Sequence, residues 1–306
     1  LELSPGVRIQ KSQGGGGSPI IRGFEANRVL IVVDGVRMNN AIYRSGHLQN
    51  SITIDPSNIE RAEVIFGSSS VGYGSDAMGG VIHYYTKNPI LKNSQKISSS
   101  FTSNFSSANN SISSNFNTNY SSDNWGSITS ISISKYGDIK MGEKRNHGFQ
   151  DWGLNPIFSE NSRYDYYTEP SINNDHNIQK NTGYSQIDLF QKFLFKIGDD
   201  NLLNLNIQFS ESSDIDRYDQ LSVVRDDSLK FSEWYYGPQK RLLISPSLKI
   251  FPKKKFMDKG AITLGFQKIN ESRIKRKFES LNRSHQIEDL TVLSLNGDFD
   301  KSFING

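Results

Sequence analysis

From about residue 95 onward, side-chain polarity alternates with a period of two over long runs, which restricts this part of the chain to sheet architectures. In NLLNLNIQFSES, Leu203, Leu205, Ile207 and Phe209 alternate with Asn204, Asn206, Gln208 and Ser210. NSISSNFNTNY does the same, setting Ile112, Phe116 and Tyr120 against Ser113, Asn115, Asn117 and Asn119. Residues 186–197 follow less cleanly, with Ile187, Leu189, Phe193, Phe195 and Ile197 in one phase. Successive side chains of a strand point to opposite faces, so each run has one greasy face and one wet face. A soluble sandwich also contains such strands, and the alternation alone leaves open what the greasy face meets.

The connections discriminate. Strands are predicted near 95–106, 110–121, 124–136, 181–197, 201–213, 240–251, 261–278 and 286–297. After the opening hairpin the links run SSDN (short), 137–180 (very long), GDDN (short), 214–239 (long) and PKKKFMDKG (fairly short). Short turns at one end and long loops at the other is the layout of an outer-membrane β-barrel. Tyr120 and Trp125 flank a short turn, and Tyr136 and Tyr184 flank the long loop, which predicts two interfacial aromatic girdles. Tyr and Trp also favour strands in general. Aromatics make up 11% of a chain whose mean hydropathy is −0.55, a pairing that suits a barrel. No apolar run approaches the roughly 20 residues of a membrane helix. The net charge of +3 and the scattered Lys and Arg give no reason to expect nucleic acid. Cysteine is absent, so there is no disulfide or thiolate site.

Residues 1–90 have a different grammar and read as a compact α+β unit. RVLIVVDGVRM (28–38) is an apolar run ending in the turn signal Asp34-Gly35. IERAEVIFG (59–67) reads as a turn or short helix start entering a second strand, and GGVIHYYTK (79–87) as a third. An eight-stranded barrel is filled by its own side chains and cannot enclose such a unit. An open eight-stranded sheet in lipid would leave its edges unpaired. A plugged barrel of about 22 strands has room, so the chain is expected to be a piece of a larger barrel.

SPIIRGFEANRVLIVVDGVRMNN followed by DPSNIERAEVIFGSSSVGYGSDAMGGVIHYYTK resembles the plug domain of TonB-dependent outer-membrane receptors. The matching positions are Pro19, Ile21, Arg22 and Gly23; Asp34 and Gly35; Glu60, Arg61, Glu63 and Val64; then Gly67, Tyr73, Gly74, Gly79, Gly80, Val81, Ile82, Thr86 and Lys87. NNAIYRSGHLQN further resembles the branch of haem and haemoglobin receptors that includes members in Bacteroidetes. The resemblance implies a plug domain over 1–90, lacking its N-terminal part, and over 91–306 the first strands of an antiparallel transmembrane barrel, lacking its C-terminal part. A signal peptide and a TonB box precede the plug in the family and are not found ahead of Leu1. The run GGGGS (14–18), which looks like an engineered spacer, then reads as a native loop inside the plug.

The resemblance also implies roles. Plug arginines at Arg22 and Arg61 are expected to be buried and to lock the plug against barrel carboxylates, since a guanidinium suits bidentate pairing; contacts to Glu60 or Glu63 within the plug are the alternative. Tyr43, Arg44, His47 and Gln49 are expected to face an extracellular vestibule and touch ligand, His being a usual donor to haem iron. A His in a polar loop is more commonly just solvated. In the long loop, Tyr164, Tyr166 and Tyr167 (RYDYYTEP) are candidates to grip a flat cargo or a protein surface. Equally, they pack the loop onto FSEWYYGPQK in the neighbouring one. The expected function is import of haem or another iron complex across the outer membrane of a Gram-negative bacterium, with TonB, the cargo and membrane lipid as partners. The rivals are a cobalamin, glycan or peptide importer and a passive or adhesive barrel. No catalytic constellation stands out and NGDFDK lacks the glycine and glutamate of a calcium loop, so no enzyme, resident cofactor or metal site is expected.

Overall fold

A computed structural model describes residues 5–10, 17–42, 51–198, 200–225, 228–252 and 257–302. The N-terminal part is built on a four-stranded sheet of β3 (Val29–Val33), β4 (Val36–Arg37), β5 (Ile59–Ile65) and β6 (Gly80–Thr86), in the order β4-β3-β6-β5. A separate hairpin of β1 (Val7–Gln10) and β2 (Ser18–Ile21) packs beside it. Every residue of β3 is buried, and it pairs in parallel with β6. One face carries Val29, Ile31 and Val33 into a cluster with Ile21, Met38, Ile54 and Ile82. The other sends Leu30 and Val32 onto Ala77 and Val81. A strand covered on both faces needs an unbroken apolar run, which is why VLIVV does not alternate.

Two glycines are required by this packing. Asp34 and Gly35 have φ of 48° and 84°, the paired positive values of the tight two-residue hairpin joining β3 to β4. At Gly79 a Cβ would stand 2.4 Å from Phe24 Cβ, so only glycine lets the chain pass there. The helical content of this part is a set of short 3-10 turns, one of them (Pro56–Asn58) capped by Asp55, which accepts the Ser57 N–H at 2.9 Å.

The remaining strands form a wall in chain order: β7 (Lys96–Ser106), β8 (Ser111–Ser121), β9 (Trp125–Tyr136), β10 (Tyr184–Ile197), β11 (Asn201–Ser212), β13 (Lys240–Ile250), β14 (Lys259–Lys277) and β15 (Ser284–Asp300), all antiparallel. The shorter β12 (Phe231–Tyr236) continues the line of β13 along the far end of β14. Among the described residues β7 pairs only with β8 and β15 only with β14, so the sheet is open. The wall turns its apolar residues outward and its polar residues onto the four-stranded unit. Phe101 is 68% and Leu293 78% exposed, whereas Ser130 is 1% and Lys192 2% exposed.

At one end lie the turn at 122–124 and the short links between β10 and β11 and between β13 and β14; at the other, besides the short links 107–110 and 278–283, lie the long links between β9 and β10 and between β11 and β13. These links are ordered, with small antiparallel pairs such as Ile139–Lys140 on Ile178–Gln179 and Ile157–Phe158 on Ser171–Ile172. Tyr120 and Trp125 stack at 4.4 Å on the outer surface of the turn end, as a girdle requires. The pair at the loop end is different. Tyr136 and Tyr184 stack at 4.6 Å in phase with the inward Ser134 and Gln186, and line a cavity inside the wall. Their place beside a long loop suggested a girdle, but the parity of the strand turns them inward.

Candidate functional site

The tight turn Asp34-Gly35 is the point where the wall grips the four-stranded unit. Asp34 Oδ1 accepts the Thr86 N–H at 2.9 Å, and Oδ2 accepts the Thr86 hydroxyl at 2.5 Å, so the turn is tied first to the end of β6. From β10, Lys192 Nζ donates to the same Oδ2 at 3.1 Å and to Thr86 Oγ1 at 2.8 Å. From β11, Asn206 Nδ2 donates to Oδ2 at 2.9 Å. Burying an ammonium group requires a counter-charge and satisfied donors, and both are supplied here. The grip extends across two further strands. Gln267 of β14 donates to the Arg37 carbonyl at 2.9 Å, and Asn296 of β15 to the Gly35 carbonyl at 3.1 Å. Gly265 leaves the room this needs, since a Cβ there would lie 2.9 Å from Val36 Cγ1.

His83 holds the turn from within. Its Nε2 accepts the Gly35 N–H at 3.1 Å, which leaves Nδ1 to carry the proton and donate to the Tyr73 hydroxyl, also at 3.1 Å. The ring stacks on Tyr85 with centroids 4.0 Å apart. Burial pushes the imidazole below the usual histidine range, against the opposing pull of Asp34 and Glu63. Next to this turn is a cavity of about 200 Å³, bordered by Asp34, His83, Lys192, Lys249 and Asp298.

Among the described residues, Arg22 and Arg61 do not make the wall contacts expected of them, and Arg61 takes the alternative within the plug. Arg22 is exposed, with its guanidinium 4.7 Å from the centre of the Phe66 ring. Arg61 has a side chain 54% exposed; it bonds Glu63 at 2.8 Å and lies 3.8 Å over the Tyr85 ring. The reason is local: Arg61 and Glu63 are two apart on the edge strand β5 and share a face, so the pair closes within the plug. Among the described residues neither arginine meets a wall carboxylate. The wall contact runs with the opposite polarity, from a plug aspartate to a wall lysine.

Tyr43, Arg44, His47 and Gln49 lie outside the described residues, as do residues 11–16 with the first three glycines of the run. The long-loop tyrosines separate. Tyr166 lies 4.5 Å below the guanidinium of Arg276, and that arginine pairs with the buried Glu233 of β12. Arg283 completes the cluster at 2.7 Å from Glu233 and donates to the carbonyls of Ser162 and Arg163 in the long loop. This clasp docks the long loop on β12 and β14. Tyr164 is 87% and Tyr167 47% exposed, free of that packing. Lys192 is a functional candidate that sequence reasoning passed over, and Tyr184 is one that it assigned only to a girdle. The available signal was phase: Lys192 falls opposite Phe193 and Phe195, on the face a barrel turns inward.

Residues 1–81 match the family described as TonB-dependent Receptor Plug Domain. The vitamin B12 transporter BtuB of Vibrio vulnificus (strain CMCP6) is 46% identical over 88 residues, covering 28% of this chain and 14% of that one. The hemin receptor of Yersinia enterocolitica is 39% identical over 87 residues, or 28% and 12%. The chain thus spans a small part of these relatives' length. In fold, it superposes on the FrpB iron transporter of Neisseria meningitidis with a TM-score of 0.70 at 17% identity, over 100% of this chain and 43% of that one. The part of the chain that carries the four-stranded sheet thus matches a TonB-dependent receptor plug domain, and sheet and wall together share the fold of the FrpB structure.

Proposed function

We propose that the chain is the plug and the first barrel strands of an energised importer in the outer membrane of a Gram-negative bacterium, carrying haem or another iron complex. The observation that carries this reading is the plug's attachment to a wall whose apolar face points outward and whose polar face points in. An outward apolar band suits lipid, and an anchored interior unit suits a gate that opens on demand. A passive or adhesive barrel has no use for such a gate. The long links, at the end opposite the short turns, form the outer side. Cargo arriving there meets Tyr164 and Tyr167 on the docked loop, with the stacked Tyr136 and Tyr184 below. His47, with Tyr43, Arg44 and Gln49, supplies the axial donor and polar contacts a haem would take. TonB is the energising partner, and residues 1–90 act as one plug.

The relatives named for hemin and for iron support the iron reading; the one named for vitamin B12 makes cobalamin the second. The test is the intact receptor in outer-membrane vesicles, titrated with haem and with cyanocobalamin. Haem binding with a Soret shift that His47→Ala weakens supports the first reading. Cyanocobalamin binding without haem binding replaces it with the second.

A further inference from the structure

Along the described strands the plug is not held evenly. Its hydrogen bonds to the wall reach β9, β10, β11, β14 and β15; among the described residues none reaches β7 or β8. On that side two cavities of about 350 and 370 Å³ lie between plug and wall. Both are bordered by Ser57, Asn104 and Ser113, so they form one seam. It runs from the Tyr136 and Tyr184 stack at the loop end to Lys87 and Asn119 toward the turn end.

The chemistry of the seam differs from that of the gripped side. Its wall consists of hydroxyls and amides: Ser100, Thr102, Asn104, Ser113, Asn115 and Asn117. Three of these groups, Ser113, Asn115 and Asn117, are satisfied sideways by side chains of the wall itself. Asn115 donates to Ser130 and Ser132 at 2.7 and 2.8 Å, Ser113 bonds Ser134 at 2.9 Å, and Asn119 donates to Asn117 at 2.6 Å. A polar surface already satisfied in itself can be wetted or passed without leaving buried groups unpaired. Charge is confined to the ends, with Asp55 and Asp188 near the loop end and Lys87 toward the turn end.

Resting on the importer reading above, we infer that cargo crosses along this seam, between the plug and β7–β9, while the plug stays attached through Asp34 and Lys192. Widening the seam breaks two polar contacts, Ser132 to Asp55 and Gln186 to the Ile52 carbonyl. Opening the interface with β10, β11, β14 and β15 instead breaks a buried ion pair and three amide hydrogen bonds.

The chain has no cysteine, which gives a direct test in the full-length receptor with any cysteine elsewhere removed. Single substitutions Ser100→Cys, Asn104→Cys and Asn115→Cys mark the seam; Ser245→Cys and Ser247→Cys mark the cavity beside Asp34. Each is alkylated with a bulky maleimide, and binding and uptake of haem and cyanocobalamin are measured separately. The expected result is loss of uptake with retained binding for the seam adducts, and normal uptake for the other two. Uptake that survives the seam adducts, or is lost equally with all five, overturns the seam. If the unmodified receptor imports neither probe, the importer reading falls and takes the route with it. The parent protein alone detects that outcome.

Discussion

The plug and the wall are both β-sheets, and they are packed inside out relative to one another. In the plug, β3 is apolar on both faces and wholly buried. In the wall, the apolar phase is the exposed one, with Ile97, Phe101 and Phe105 all near 70% exposed, and the buried phase is mainly Ser, Asn, Gln and Lys, with a few apolar residues such as Ile128, Phe190 and Leu243 among them. A strand's pattern is therefore set by what lies on each side of it. Burial of apolar surface drives the plug sheet together. In the wall the backbone ladder satisfies its own N–H and C=O groups, as a sheet facing lipid would require, and polar contact to the plug replaces a core.

The interface between the two sheets offers the largest effect. Lys192→Ala leaves the Asp34 carboxylate facing the wall without its cation, and breaking a buried pair this way costs about 3–5 kcal/mol. The intact receptor carrying it is expected to admit large antibiotics that the parent excludes. Asp34→Asn with Lys192→Met removes both charges, and is expected to recover much of that loss. If Lys192→Ala left both permeability and thermal stability at parent values, the turn would not be the plug's anchor.

Inverting the wall comes next. Leu264 points outward at 51% exposure, opposite Leu295 in β15. Leu264→Arg is expected to destabilise the barrel in lipid by up to about 2–4 kcal/mol, depending on depth. Ser100→Arg, on the inward phase, should leave stability near the parent value. Refolding titrations into lipid vesicles read both, and equal effects would contradict the assignment of faces.

How far the sequence foretells this arrangement depends on how local each cause is. The eight long wall strands lie within a few residues of the predicted positions, because a period of two is a property of the strand itself, whereas the short β12 falls in a segment that reads as a link. The Asp34-Gly35 turn is equally local. The role of the Asp34 side chain is not, because its wall partners Lys192 and Asn206 lie 158 and 172 residues away. Tyr136 and Tyr184 are instructive in another way. Their neighbourhood suggested a girdle, while their phase with Ser134 and Gln186 already pointed inward. Arg22 and Arg61 carry recognisable motifs, yet their surroundings are set by edge-strand geometry and nearby rings.

A smaller effect tests the turn from the plug's side by pH. The His83 pKa is depressed on folding, so its contribution is present above the ordinary histidine value of about 6.5 and is lost as pH falls through the folded value. Protonation places an N–H against the Gly35 N–H. Thermal stability of the receptor should therefore drop on acidification, and His83→Gln, which keeps an acceptor near Nε2, should flatten that dependence. An unchanged pH profile in the variant would remove His83 from the turn's support.

The smallest effect separates two tyrosines that the sequence presents as equals. Tyr166 gives its ring to Arg276, whose charge is already matched by Glu233, so Tyr166→Ala loses a cation–π contact of about 0.5–2 kcal/mol. That loss should appear as faster proteolysis of the long loop, because the ring is one of the points at which the loop docks. Tyr164 has almost its whole side chain in solvent. Tyr164→Ala should leave proteolysis and thermal stability unchanged, and any effect should appear in cargo affinity alone. The two readouts are independent, which is what gives the comparison force. Faster proteolysis in Tyr164→Ala would mean the exposed ring packs when the barrel is whole. Slower cargo capture in Tyr166→Ala without faster proteolysis would mean that the clasp itself is a binding surface.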